Sequence, residues 1–161
     1  MTRRTIRIPL SAALLLLALV VPAAADEAAD KAGVKAASDA YYAALAVLDD
    51  GTAMSGVWAQ APYVTMVGPR TKDIVVGWAA LKDYWANGNK RFSKRQVSLQ
   101  GSQMRVNGTV AWELGRETGE STAADGALTK VDWVTTNIFE KQPDGKWLMV
   151  SHHVQPGAPA K

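Results

Sequence analysis

The residues best equipped for chemistry in this chain are few. Both histidines stand side by side, as His152 and His153, in the C-terminal stretch Trp147-Leu148-Met149-Val150-Ser151-His152-His153. Histidine titrates near neutrality and can serve as general acid or base. The chain has no cysteine, which removes thiol nucleophiles, thiolate metal sites and disulfides together. Neighbouring residues on a strand point to opposite faces, so the two imidazoles cannot chelate one ion, and no metal site is expected. No serine elbow and no glycine-rich phosphate loop is present, so no cofactor is expected either.

Which histidine faces inward depends on register. Three turn signals, Asn107-Gly108, Asp125-Gly126 and Asp144-Gly145, punctuate β-type segments from Ser93 onward, which reads as a four-stranded antiparallel meander. A two-residue turn at Asp125-Gly126 sets Trp112 opposite Phe139, Leu114 opposite Asn137 and Arg116 opposite Thr135. One face then carries Val110, Trp112, Leu114, Trp133 and Phe139, and the other Glu113, Glu117, Asp132 and Glu140. The first reads as core, the second as solvent-facing. A three-residue loop at Pro143-Asp144-Gly145 sets Asn137 opposite Ser151 and Thr135 opposite His153, which points His153 inward. A two-residue turn there would point His152 inward instead.

On this register Arg116, Thr135, Asn137, Ser151 and His153 are polar groups on an otherwise aromatic inner face with Trp85, Trp112 and Trp133, the mixture expected of a ligand pocket. Tyr41 can add its hydroxyl from the first helix. His153 and Tyr41 are the candidate catalytic residues. Arg116 is the candidate anchor, because an inward arginine requires a carboxylate or an anionic ligand. The alternative places Arg116 and His153 at a solvated rim.

The elements that must position these groups follow from periodicity. Residues Asp26 to Leu48 place Val34, Ala37, Tyr41, Ala44, Leu45 and Leu48 at helical spacing; Thr52 to Ala59 reads as a short second helix, and Trp78 to Phe92 as a third through Leu81, Tyr84 and Trp85. Tyr63 to Val67 and Ile74 to Gly77 read as a hairpin. Helices preceding strands imply an α+β fold. The expected form is a cone, with three helices in the concave face of a curved, mainly antiparallel six-stranded sheet. On its outer face Val134, Ile138, Leu148 and Val150 suggest a homodimer contact. The tail from Pro156 reads as disordered.

Residues 1–25 read as an export signal, with Arg3, Arg4 and Arg7 before the apolar run Ala12 to Val21 and the small residues Ala23 to Ala25. Cleavage is expected before Asp26, leaving a single domain at 26–161 that is periplasmic or secreted. Thr2 to Arg7 loosely resembles a twin-arginine signal, so both export routes stay open. Removing three arginines from 18 Lys+Arg leaves 15 against 15 Asp+Glu. The exported part is thus formally neutral and lacks the basic footprint of a nucleic-acid binder. No apolar stretch is long enough to span a membrane.

Tyr41-Tyr42-Ala43-Ala44-Leu45, Val76-Gly77-Trp78-Ala79-Ala80-Leu81 with Tyr84-Trp85, and Asp144-Gly145-Lys146-Trp147 leading to Ser151-His152-His153 resemble the SnoaL-like branch of the nuclear transport factor 2-like superfamily, which includes ketosteroid isomerases. The resemblance implies a small-molecule cavity and dimers through the sheet. Tyr41 matches the isomerases' oxyanion-donating tyrosine, whereas the place of their proton-moving aspartate falls within Thr65-Met66-Val67-Gly68, without a carboxylate. Arg116 and His153 resemble an arginine and a histidine that line the cavity in the kinase-association branch. The expected function is binding of a small, partly apolar, polar or anionic molecule. The alternatives are an isomerase, cyclase or hydratase with His153 as base, and a non-catalytic interaction module.

Overall fold

The computed structural model describes residues 22–157. Residues 1–21, which hold most of the expected export signal, lie outside the described residues. Helix α1, Pro22–Ala46, begins upstream of the expected cleavage point. It buries Val34, Ser38, Tyr41, Ala44 and Leu45 along one stripe. Asp49 ends the following turn by accepting from the backbone N–H of Gly51 at 2.9 Å and of Ala53 at 2.8 Å. Ala53–Gly56 forms a 3₁₀ turn that buries Met54, shorter than the helix expected over Thr52 to Ala59.

Strands β1, Thr65–Val67, and β2, Val75–Val76, form the expected hairpin. Gly77, at a φ of 85° that disfavours a side chain, turns the chain into helix α2, Trp78–Asn89, which buries Leu81, Trp85 and Asn89 at four-residue spacing. The meander follows as β3, Phe92–Asn107; β4, Val110–Ala123; β5, Leu128–Lys141; and β6, Trp147–Pro156. Pro156 thus ends a strand, and the Gly157 N–H donates to the Asp132 carbonyl at 3.0 Å, so order extends past the point where the tail reading began.

All six strands form one mixed sheet in the order β2-β1-β6-β5-β4-β3, with β1 parallel to β6 and every other pair antiparallel. This corrects the expected cone. The sheet is open, since β2 and β3 are its two edges and do not pair, and it is neither closed nor strongly curved. The helices cover one face, and the core lies between them and the sheet, centred on Tyr41, Trp58, Met66, Leu81, Phe139 and Met149.

Register is the second correction. The turn between β4 and β5 has three residues, Ala124, Asp125 and Gly126, closed by Ala123 N–H donating to Ala127 O at 2.8 Å; Gly126 takes the left-handed position at φ 88°. Trp112 therefore pairs with Ile138, and Ala111 with Phe139. One residue of slip turns all of β4 over. Ala111, Glu113 and Glu117 are buried inward, and Val110, Trp112 and Leu114 are exposed on the outer face.

On β6 the three-residue loop does set Phe139 opposite Met149, but the next pair is Ile138 with Ser151. Val150 is the extra residue of a β-bulge. Met149 at this point uses its N–H and C=O on Val57 O at 3.0 Å and Ala59 N–H at 2.9 Å, tying the bulge to the loop before β1. Beyond it the alternation is reversed: Val150, His152 and Val154 are buried and His153 is exposed.

Candidate functional site

A cavity of about 530 Å³ lies between the helices and the inner face of the sheet. Its inner end is made by Tyr41, Met66, Glu117 and His152; Trp85, Val97, Val131 and Trp133 form walls; and the loop between β1 and β2, with Arg91 just before β3 and Phe92 and Arg95 at its start, completes the lining. The mix is largely apolar with a few convergent polar groups, as small-molecule sites are.

Glu117 is 1% exposed. Tyr42 of α1 donates its hydroxyl to Oε1 at 2.9 Å, while the neighbouring Thr135 of β5 donates its hydroxyl to the His153 carbonyl at 3.2 Å. Burial disfavours the charged carboxylate and pushes the Glu117 pKa up to about 7, although the Tyr42 hydrogen bond opposes the rise. Near neutrality Glu117 therefore divides between acid and base forms.

His152 is equally buried. Asn137 donates its amide to Tyr42 Oη at 3.3 Å, which leaves its Oδ1, 2.8 Å from His152 Nδ1, as the acceptor. That arrangement assigns the imidazole proton to Nδ1 and the lone pair to Nε2. Nε2 faces Glu117 Oε1 at 3.8 Å, in contact but beyond hydrogen-bond length. Burial, with a lesser contribution from His153, pushes the His152 pKa down to about 3, so the ring is neutral. The inner end thus pairs a titratable carboxyl with a neutral imidazole, oriented by Asn137 and Tyr42.

Tyr41 lies beside them, its ring centroid 5.1 Å from that of His152. Its pKa is raised well above the ordinary phenol value, first by burial and then by the Glu117 charge, so it remains a donor. Among the described residues its hydroxyl has no hydrogen-bond partner and is not sealed from water. A ligand oxygen at this end of the cavity is its natural acceptor.

Tyr41, Trp85 and Trp133 line the cavity, where sequence reasoning placed them. Thr135 and Asn137 are fully buried on the inner face; Asn137 orients His152, and Thr135 donates to the His153 carbonyl at 3.2 Å. The other four residues are corrected by register. Trp112 is 38% exposed on the outer face. Arg116 is exposed there and forms a two-pronged ion pair with Asp132, Nη2 to Oδ2 at 2.7 Å. Ser151 is half-buried and takes a hydrogen bond from Thr65 at 2.9 Å. His153 lines a shallow outer depression with Val134, Thr136 and Gln155.

Glu117, Tyr42 and Arg95 were not among the expected site residues, and His152 was expected inward only with a two-residue last turn; a three-residue loop followed by the bulge at Val150 turns it in instead. One signal could have found Glu117: the inner positions of β4 read Ala111, Glu113, Gly115, Glu117 and Gly119, small residues alternating with two acids. A Cβ at Gly115 would meet Leu99 Cδ1 at 2.6 Å, so this face is cut away where neighbours approach. Among the described residues no cluster of three His, Asp or Glu could hold a metal ion, and no helix is long and apolar enough to cross a membrane.

The model of the SnoaL-like domain matches residues 34–158. Solved structures of similar fold include a nuclear transport factor 2-like protein from Streptomyces avermitilis, proposed to be a dehydratase, at 24% identity over 81% of this chain and 99% of that one, with a TM-score of 0.70. A nuclear transport factor 2-like superfamily protein from Salmonella enterica serovar Typhimurium is 18% identical over 85% of this chain and 95% of that one, with a TM-score of 0.71. A protein from Novosphingobium aromaticivorans, proposed to be an aromatic ring hydroxylase, is 16% identical over 82% and 92%, with a TM-score of 0.72. No curated protein matches the chain. Identities this low carry the fold and not the activity. With the family model spanning β1 through β6 and the second half of α1, the chain belongs to the SnoaL-like domain family.

Proposed function

We propose that the protein binds a small, largely apolar molecule in the cavity and presents one oxygen-bearing end of it to Tyr41, Glu117 and His152. The observation that carries this reading is the free Tyr41 hydroxyl opening onto a cavity of about 530 Å³ whose walls are apolar. Native mass spectrometry of the protein from its own host, followed by denaturing extraction, tests it. A stoichiometric small molecule is the expected result. An empty protein that also fails to bind the neutral dye phenylnaphthylamine would end the proposal.

A second reading, that the protein catalyses proton transfer, is favoured by the Glu117–His152 pair. A carboxyl with a pKa of about 7 can take and return a proton at working pH. This replaces His153 as the base with Glu117, and Tyr41 becomes the group that polarises the ligand oxygen. The chemistry that suits these parts is isomerisation or loss of water next to a carbonyl. The extracted molecule should take up deuterium from heavy water with the protein present, and Glu117→Gln should slow uptake by about a hundredfold or more; equal uptake by both proteins would exclude the role.

Of the expected outer-face residues Val134 is exposed, whereas Val150 is buried and Ile138 and Leu148 pack against the core; Val134 shares the outer face with the exposed Val110, Trp112 and Leu114, and we assign that face to a second copy of the chain. Trp112→Lys should shift sedimentation equilibrium from dimer towards monomer; an unchanged mass would place any contact elsewhere. The arginines and apolar run of the first 25 residues support export, and a mature N-terminus at Asp26 is the expected outcome of N-terminal sequencing.

A further inference from the structure

The other end of the cavity carries a different chemistry. Arg95 is only 8% exposed, yet among the described residues no carboxylate pairs with it. Its Nη1 donates to the Leu45 carbonyl and to Asn89 Oδ1, both at 3.1 Å. Those bonds join the ends of α1 and α2 to β3 and fix the plane of the guanidinium. Nε and Nη2 have no partner among the described residues. The only partnerless side-chain polar atoms sealed from water there are Trp58 Nε1 and Trp85 Nε1, so the free donors of Arg95 open onto the cavity it lines.

The surroundings do not neutralise this charge. The Arg95 guanidinium carbon lies 4.5 Å from the centre of the Phe92 ring, and that of Arg70, from the loop between β1 and β2, lies 5.2 Å from the same ring. One aromatic ring thus gathers two cations. Burial works against the Arg95 charge, the Tyr41 and Tyr84 phenols act the other way, and Arg70 adds to the repulsion. Asp73 and Asp83 also line the cavity, but neither is ion-paired with Arg95. A guanidinium held rigid, largely desolvated and short of a counter-charge is a receptor for an oxyanion, which its planar fork matches in two bonds.

We infer that Arg95, backed by Phe92 and Arg70, docks the anionic head of the molecule that the cavity takes: a carboxylate, sulfonate or phosphate on an apolar body. This rests on the cavity reading above and gives the bound molecule a direction. Its charged head lies at Arg95, and its neutral oxygen-bearing end lies at Tyr41 and Glu117, where a buried carboxyl rejects a second negative charge.

The test uses two dyes that share the same rings, anilinonaphthalene sulfonate and its neutral parent phenylnaphthylamine, titrated by fluorescence into the full protein. The sulfonate should bind about tenfold tighter than the parent. Arg95→Met should abolish that preference, bringing the sulfonate's affinity to the parent's, and Arg70→Ala, an exposed substitution that does not threaten folding, should reduce it part of the way. Arg116→Ala, on the outer face, should change neither dye. Val97→Trp, which fills the cavity wall, should remove both dyes.

Equal binding of the two dyes to the wild-type protein, or a preference that survives both Arg95→Met and Arg70→Ala, would overturn the anion site and leave the cavity standing. Binding that ignores Val97→Trp, or no binding of either dye, would overturn the cavity reading itself and the anion site with it.

Discussion

Strand β4 buries two glutamates four residues apart, and they are held in different ways. Both oxygens of Glu113 accept from serine hydroxyls, Ser38 of α1 and Ser102 of β3, at 2.6 Å each, and Glu113 does not line the cavity. Glu117 accepts from the Tyr42 hydroxyl, faces a neutral histidine, and lines the cavity. The difference separates a carboxyl held on both oxygens by serines of α1 and β3 from one that faces open space. Burial alone does not mark a site; a buried acid becomes a candidate when an open space lies beside it and its donors do not saturate it.

Breaking the Glu113 cradle should have the largest effect. With Ser38 and Ser102 both changed to alanine, a buried carboxyl loses both donors, and the unfolding free energy in urea should fall by about 3 kcal/mol or more. The same double variant should leave dye binding in the cavity unchanged per folded molecule. A loss of under about 1 kcal/mol would mean that Glu113 is not a fastening group and would remove the contrast.

The pH dependence of stability sharpens the other side. Glu117 has its pKa raised from 4.5 to about 7 in the fold, so between those values the folded state binds more protons than the unfolded one, and stability falls as pH rises. His152 has its pKa lowered from 6.5 to about 3, so between those values the folded state binds fewer protons, and stability rises with pH. Their slopes cancel where the windows overlap, from about pH 4.5 to about 6.5. The pair's contribution is thus nearly flat in that window. Glu117→Gln leaves the histidine slope alone, and stability should rise by about 2 kcal/mol across it. His152→Gln should tilt the curve the opposite way. Parallel curves for wild type and Glu117→Gln would mean that Glu117 does not hold a proton in the fold.

Much of this architecture was legible because it depends on local pattern. The four-residue spacing of Leu81 and Trp85, the Asp49-Asp50-Gly51 stop after α1 and the three glycine turns placed the helices, the first hairpin and the meander. Tyr41, Trp85 and Trp133 were legible as cavity residues for the same reason. Register was not, because it is decided by two single-residue choices that pattern does not reveal. Ala124 enters the turn before β5, and Val150 is set aside as a bulge because the loop at Val57–Ala59 engages Met149. Each choice turned a strand over, removing Arg116 and His153 from the inner face and bringing in Glu117 and His152. Polar alternation also misled on β4, since the donors that make buried glutamates tolerable there come partly from α1, as Ser38 and Tyr42, and cannot be seen from the strand. The inward arginine is Arg95 rather than Arg116, which pairs with Asp132 on the outer face.

The smallest expected effect separates two neighbouring tyrosines. Tyr42 donates to Glu117 and accepts from Asn137, so Tyr42→Phe removes one bond from the carboxyl and leaves the Asn137 amide without its acceptor; a loss of about 1–2 kcal/mol in urea unfolding is expected. Tyr41 is the more buried of the two, at 1% exposure, but has a hydroxyl with no partner among the described residues. Tyr41→Phe keeps the ring contacts with Trp58, Trp85 and His152 and should change stability by less than about 0.5 kcal/mol. Its cost should appear only when a molecule with an acceptor oxygen is bound, as a loss of affinity of about fivefold. If Tyr41→Phe destabilised the empty protein as much as Tyr42→Phe does, the Tyr41 hydroxyl would be part of the packing, and the inner end of the cavity would lose its only uncommitted hydroxyl donor among the Tyr41, Glu117 and His152 groups.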